Sequence, residues 1–375
     1  MAVATLADVV TLLDRWYPPQ NAEPWDVVGL VCGEPRAEVR RILLAVDPAA
    51  AVAAEAITGE ADLLVAHHPL FFKPVSSVAA GSPKGRVVHQ LISNGCALFT
   101  AHTNADVPVD GVSQALALAL GLTGLRPLVA QRADPRDKIV VFAPAEAAES
   151  IRGALADAGA GELGNYDSGS FSAPGEGRFR PLTGAQPTIG SVGSLETVDE
   201  VRIEVLCSRN LREAVLAAML SIHPYEEPAY DVIELAELDH PDRGTGRVGT
   251  LAGPTTLRDF AETVARALPE TAHGVRVSGD PGRRVETVAL VGGAGDGWLD
   301  EARDSGADVY LTSDLRHHPA SEFREYYGPA LVDVAHWAAE WTWLPVLARK
   351  LERALGDTVE VRVSTTNTDP WTFRT

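Results

Sequence analysis

The sequence predicts an α/β protein in which two related α/β lobes flank a cleft, with a ferredoxin-like α+β domain inserted between them. Three observations carry this reading. Short apolar runs alternate with helical stretches at both ends of the chain, and the middle third changes to a βαββαβ order with polar connections. The two outer portions also repeat one another at their strand ends. The divisions fall at residues 1–130, 131–243 and 244–375.

In the first portion, "MAVATLADVVTLLDRWYPP" carries Asp8 and Asp14 and no basic leader, so it reads as an amphipathic helix rather than a signal peptide. "VRRILLAVD" (39–47) is nearly continuous in apolar residues, as a buried strand is. "PAAAVAAEAITGE" begins with proline and is alanine-rich, which suits a helix start. "ADLLVAHH", the helix "KGRVVHQLISNG" and "CALFTAHTN" follow. Strand–helix–strand order at this spacing implies right-handed parallel crossovers. In the middle portion, "DKIVVFAP", a helix near 145–158, "VRIEVLC", a helix near 211–222 and "AYDVIEL" give the ferredoxin-like order. The Gly/Pro/Ser-rich "SGSFSAPGEGRFRPLTGAQPTIG" reads as a long hairpin or loop. From "GTGRVGTL" (244–251) a parallel-strand style is expected to resume through "VETVALVGG", "ADVYLTS" and "PALVDVAH". "WTWLPVLARKLERALG" reads as the closing helix.

Composition narrows the function. The chain has 375 residues, enough for two or three domains, and a hydrophobic share of 46% typical of a globular protein. A net charge of −19 argues against nucleic-acid binding, which needs a basic surface. No apolar run reaches the roughly 20 residues that cross a bilayer. Cys32, Cys96 and Cys207 are scattered and form neither a thiolate metal motif nor a disulfide framework, which fits a cytoplasmic location.

The chemistry gathers at the repeated strand ends. "EADLLVAHH" (60–68) aligns with "GADVYLTSD" (306–314), setting His67 and His68 opposite Ser313 and Asp314. "FTAHTNAD" (99–106) aligns with "VDVAHWAAE" (332–340), each placing a carboxylate four residues after a histidine. Ligand sites of open α/β sheets form at the carboxyl ends of strands. Two facing lobes would therefore bring His67, His68, His102, Asp106, His336 and Glu340 to one cleft. Imidazoles and carboxylates without thiolates suit zinc, iron(II), manganese or a similar divalent ion, and there are enough donors for two ions sharing a carboxylate. Other features have plainer readings. His89 reads as an ordinary helix residue, and His317–His318 lie beyond a strand end. His223, Glu226 and Glu227 in "HPYEEPAYD" read as part of a rigid strand entry. The loop "VGGAGDG" (291–297), with Gly293 and Gly295, is either a tight strand-to-helix turn or an anion cradle; it matches neither GxGxxG nor a P-loop. No GxSxG elbow supports a serine nucleophile.

The chain resembles the GTP cyclohydrolase I type 2 family, also called NIF-three-like proteins, over essentially its whole length. The resemblance rests on "WDVVGLVCG", "ADLLVAHHPLFF", "AHTNADVPVDGVSQALALALGL", "GTGRVGTL", "VGGAGDGWLDEARDSGADVYLTSDLRHH" and "VDVAHWAAEW". The middle portion is similar to the PII/CutA-type insert of the family's longer members. The resemblance implies a dinuclear divalent-metal centre held by His67, His68, Asp106, His336 and Glu340, with Glu340 bridging and His102 a near neighbour or proton carrier. It also implies a toroidal homohexamer and hydrolysis of a small molecule, a nucleotide such as GTP, opening the purine ring with release of formate. Lys73, Arg247 and Arg316 are the candidate phosphate contacts. "TSDLRHHPASEF" departs from the family, which commonly has Gly before the aspartate and a Tyr-His pair. The alternative is a metal-binding chaperone or regulatory scaffold without turnover, which needs the same ligands.

Overall fold

Apolar runs buried on both faces build the first sheet. In the computed structural model, which describes residues 3–375, β1 (Gly29–Cys32), β2 (Arg41–Ala45), β3 (Leu63–Ala66) and β4 (Ala97–Thr100) come first. β2, β3 and β4 are almost wholly buried and run parallel, as strands covered on both sides do. Helices Ala50–Thr58 and Pro83–Ser93 make the crossovers, and β1 closes the edge antiparallel to β4. The expected N-terminal helix spans Leu6–Trp16, fixed by a capping box in which Thr5 and Asp8 satisfy each other's backbone N–H. β5 (Thr123–Arg126) and β6 (Val129–Arg132) end this portion.

The chain divides into an outer unit, residues 3–131 with His240–Thr375, and a middle unit, Arg132–Asp239. The middle unit contains β7 (Arg136–Pro144), helix Ala148–Asp157, β8 (Ser170–Phe179), β9 (Glu196–Ser208), helix Arg212–Ile222 and β10 (Tyr230–Glu234). Its sheet has the order β10-β7-β9-β8, antiparallel throughout. The Gly/Pro-rich stretch is indeed a hairpin: β8 pairs with β9 from Ser170↔Val205 to Phe179↔Glu196. His223 is buried, with Nε2 bonded to the Phe142 carbonyl and Nδ1 accepting from Tyr225 N–H, while the Tyr225 hydroxyl donates to Glu200. Both ring nitrogens are thus occupied in holding the strand entry.

The outer unit continues with β11 (Asp239–Thr245, whose first residue belongs to the middle unit), β12 (Arg247–Thr256), β13 (Val275–Ser278), β14 (Arg284–Ala294), β15 (Val309–Ser313), β16 (Ala330–Val334) and β17 (Glu360–Val363). The parallel style does not resume at residue 244. β12 runs antiparallel to both β14 and β5, and beyond Gly249 it is largely solvent-facing, which antiparallel strands tolerate. Parallel pairing begins at β14, β15 and β16.

The repeat is visible in the topology. One sheet contains the order β1-β4-β3-β2 and the other β13-β16-β15-β14, each with an antiparallel edge strand followed by three parallel ones. The sheets do not follow the linear division of the sequence, however. β5, from the first portion, joins the second sheet, and β17 joins the first, parallel to β2. Helices exchange likewise. Leu344, Leu347 and Leu351 of helix Leu344–Leu355 pack with Leu6, Ile42, Leu63 and Phe99. Leu116 and Ala117 of helix Val112–Ala119 pack with Phe260, Val288 and Leu311. The two sheets therefore share cores, which fixes the strand ends between them. Among the described residues no helix is long and apolar enough to cross a membrane.

Candidate metal centre

Strand ends from both sheets deliver the site. His67 and His68 follow β3, and His102 follows β4 and precedes the short helix Thr103–Asp106. His336 follows β16 and opens helix His336–Trp341, which carries Glu340 one turn on. The ligating atoms of His67, His68 and His102 lie within 4.8 Å of one another, as do those of His68, His336 and Glu340. His68 belongs to both groups.

Buried Glu340 is the hub. Its Oε1 lies 2.8 Å from His336 Nε2 and 3.4 Å from His67 Nε2, and its Oε2 lies 2.9 Å from His68 Nε2. Asp106 reaches in from the first portion, with Oδ1 3.8 Å from His67 Nε2. Asp106 Oδ1 and Glu340 Oε2 are buried without a hydrogen-bond partner. Unmet carboxylate oxygens beside imidazole nitrogens are the chemistry a divalent cation satisfies, so the donor set fits a metal.

Each imidazole is aimed from behind. His67 Nδ1 is bonded to the Ala101 carbonyl at 2.9 Å, so Nδ1 holds the proton and Nε2 presents a lone pair. His68 Nδ1 meets Asp47 Oδ1 at 2.7 Å, and His336 Nδ1 meets Asp314 Oδ2 at 2.7 Å. His102 Nδ1 lies 3.0 Å from Asp26 Oδ2, which also accepts from the Thr103 N–H and hydroxyl. A partner behind each ring fixes its orientation and tautomer, as at metal-ligating histidines generally. Asp314 pays for its position with a left-handed backbone, φ +58°.

The electrostatics follow from these contacts. Burial works against charge on His68, but Glu340 and Asp47 overcome it and raise its pKa to about 10. Burial likewise opposes charge on His336, and Glu340 with Asp314 raises it to about 11. His67, more deeply enclosed, is lowered by burial. Burial raises Asp106 well above the carboxylate range, with Glu340 adding to it, whereas the imidazoles outweigh burial and hold Glu340 well below. The Asp26 carboxylate is buried too, yet its bonds from His102 and Thr103 lower it to about 2.

The remaining expected contacts separate. Gly293, at φ +81°, lets the backbone pass Glu340: a Cβ there would stand 2.7 Å from Oε1 and 3.3 Å from His336 Nε2. Gly295 instead packs against Thr312 and Tyr310, whose side chains bond the carbonyls of Gly293 and Gly295. Arg247 is not an exposed phosphate contact. It is buried, and its guanidinium donates to Gln114 and to the carbonyls of Gly244, Gly246, Val107 and Pro108. It therefore braces the segment after Asp106. Arg316 points to solvent and pairs with Asp296. Lys73 is exposed, and His317 and His318 are exposed at the start of helix His317–Glu325. Sequence reasoning missed Asp26 and Asp47 behind the histidines. Asp47 had a signal, because it ends "VRRILLAVD" at the same sheet edge as His67. Trp25 and Phe72, which touch the His102 ring with centroids 5.9 and 5.8 Å away, fall inside two of the motifs that carry the resemblance, which gave them no role.

Fold and cluster together define an α/β protein with a candidate metal centre at the strand ends of its two largest sheets. The chain belongs to the Duf34/NIF3 (NGG1p interacting factor 3) family, whose profile matches residues 4–370. It is 47% identical over 371 residues to a Mycobacterium leprae protein called GTP cyclohydrolase 1 type 2 homolog, covering 98% of this chain and 95% of that one. Among solved structures it is similar to a Bacillus cereus protein related to NIF3 (36% identity, TM-score 0.78) and to Staphylococcus aureus protein SA1388 (29%, TM-score 0.83), each covering 100% of both chains.

Proposed function

We propose that the protein is a hydrolase that works with two divalent metal ions and opens the purine ring of GTP with release of formate, as the name shared by its relatives suggests. The observation that carries this reading is the convergence of three imidazoles on Glu340 with Asp106 beside them, one buried oxygen of each carboxylate being left without a hydrogen-bond partner. His67, His68, Asp106, His336 and Glu340 would hold the ions, with Glu340 shared because its two oxygens address different histidines. Bound there, the ions would be zinc, iron or manganese and would supply Lewis-acid polarisation and a lowered pKa for water. His102, oriented through Nδ1 by an ionised Asp26, offers Nε2 for moving protons to and from the substrate. Lys73 is the remaining phosphate contact, exposed in the segment that follows His67 and His68. The middle unit reads as PII/CutA-like on its strand order. A cytoplasmic homohexamer that binds neither nucleic acid nor membrane completes the reading, supported by family resemblance and net charge.

Formate release from GTP, measured on protein reloaded with a single defined metal, tests this. The His68→Ala variant should lose at least about a hundredfold, more than loss of a residue behind a ligand costs. Equal, near-background rates in both proteins would remove the hydrolase and leave a metal-holding scaffold.

A further inference from the structure

Beside the His/carboxylate cluster stand two large aromatic side chains that packing does not bury. Trp25 is 58% exposed and Phe72 is 52% exposed. Both rings contact the same imidazole, His102, at interplanar angles of 75° and 84°. His102 is in turn in ring contact with His67 and His68, at 5.3 and 5.5 Å. The aromatic pair therefore borders the candidate metal centre on its His102 side.

Trp25 sits on a held segment. The Glu23 N–H donates to Thr103 Oγ1 at 2.9 Å, and the same hydroxyl donates to Asp26 Oδ2 at 2.7 Å. The chain on either side of Trp25, through the Glu23 N–H and the Asp26 carboxylate, is thus tied to the residue that follows His102. Phe72 lies in the turn after His67 and His68, next to exposed Lys73, and Lys84 Nζ stands 5.7 Å from its ring centroid. An exposed tryptophan on a tied segment and an exposed phenylalanine against the same imidazole, with two lysines nearby in a protein of net charge −19, form a local apolar and cationic spot in an acidic molecule. Fixed aromatic faces recover their exposed area by stacking on flat rings, and they do so with little ordering cost.

We propose that Trp25 and Phe72 form the recognition platform for a planar heteroaromatic ring, a nucleobase or its like, with Lys73 and Lys84 taking an anionic substituent. This rests on the hydrolase reading of the same site and specifies which part of the substrate is grasped first. His102, in contact with both aromatic rings, then lies between the grasped ring and the cluster, where a proton carrier has to be.

Equilibrium binding of guanosine, GTP and inorganic tripolyphosphate to the metal-loaded full chain tests this, with metal content and sedimentation measured on every sample. Trp25→Ala and Phe72→Ala should each weaken guanosine and GTP by about tenfold, the scale of losing one stacking partner. Tripolyphosphate binding and metal content should stay unchanged, and Trp25→Phe should restore guanosine binding to within about threefold. The proposal is overturned by wild-type protein that does not bind guanosine, by unchanged guanosine affinity in the alanine variants, or by equal losses for guanosine and tripolyphosphate. A change in sedimentation with guanosine affinity intact would give the pair to contacts between copies of the chain and equally overturn it. Formate release is a separate readout. Stacking-dependent binding without formate would keep the platform and remove the hydrolase, whereas formate release with unaffected binding in the variants would do the reverse.

Discussion

Four histidines at this site share one device: an acceptor behind the ring that leaves the other nitrogen facing inward. The acceptor is a carbonyl for His67 and a carboxylate for His68, His102 and His336. Asp47 is the best isolated of these carboxylates for a test. It sits at the end of a buried strand, its Oδ1 meets His68, and its other oxygen accepts from Thr368 near the C-terminal end. Asp47→Asn keeps the shape and can still accept through its amide oxygen, but it withdraws the negative charge that makes His68 a stronger donor. Affinity for zinc or manganese, read by competition with a chromogenic chelator, should fall by about 10–100-fold with the fold intact by circular dichroism. Unchanged affinity would mean that the orientation of His68 is set elsewhere. The histidines and carboxylates were legible in the sequence because strand ends of a parallel sheet are marked by where apolar runs stop. Asp26 was not, since it lies in an irregular segment and meets His102 from 76 residues away.

At the level of elements, the loop after β14 shows how glycine serves the site at one position and packing at the next. Sequence left "VGGAGDG" open between a tight turn and an anion cradle. In the structure Gly293 lines the cluster, while Gly295 is packed under Thr312 and Tyr310. Gly293→Ala would add a methyl 2.7 Å from Glu340 Oε1 at a φ of +81°. The backbone cost is about 1–2 kcal/mol, and the contact would displace the carboxylate that several imidazoles share. Metal content after repletion should drop by about tenfold or more, with only a modest loss of thermal stability. Gly295→Ala should show the opposite balance, a lower melting temperature with metal content preserved in the protein that remains folded. Similar behaviour of the two variants would count against this division of labour. Arg247 is a related lesson, because an arginine near an expected phosphate site turns out to be a brace. The sequence could not show this, since the carbonyls it binds at Val107 and Pro108 lie about 140 residues away.

At the scale of the whole molecule, the internal repeat was legible from its strand ends, but the exchange of elements between the sheets was not. β17 is the short run "EVRV", which could pair with many edges, and only the register against β2 from Arg41 to Leu44 identifies its place. The helices that cross between cores are amphipathic in either context, so their sequence names a buried face and not a partner. The middle unit is different: its core of Ile139, Val141, Ile151, Leu155, Ile203 and Met219 is drawn from its own residues alone. Its ends are close, with the Ala133 N–H donating to the Leu238 carbonyl at 2.8 Å. All the candidate metal ligands belong to the outer unit. Replacing residues 133–238 with a short turn should therefore leave a folded protein that takes up as much metal as the full chain. Residues 132–239 produced alone should melt cooperatively, and their stability should carry the signature of Asp137. This carboxylate is buried and bonded by Arg209 and Arg212, and those bonds lower its pKa. Its contribution is fully present above the unfolded value of about 3.9 and fades as pH falls through the lower folded one. Asp137→Asn should lower the melting temperature of this unit at pH 7 by roughly 5–10 °C, and the gap between the two proteins should shrink as the pH falls below the unfolded carboxylate value. A constant gap at all pH values would show that the arginines do not hold an ionised Asp137. An excised outer unit that cannot fold or bind metal would show that the two units are not independent.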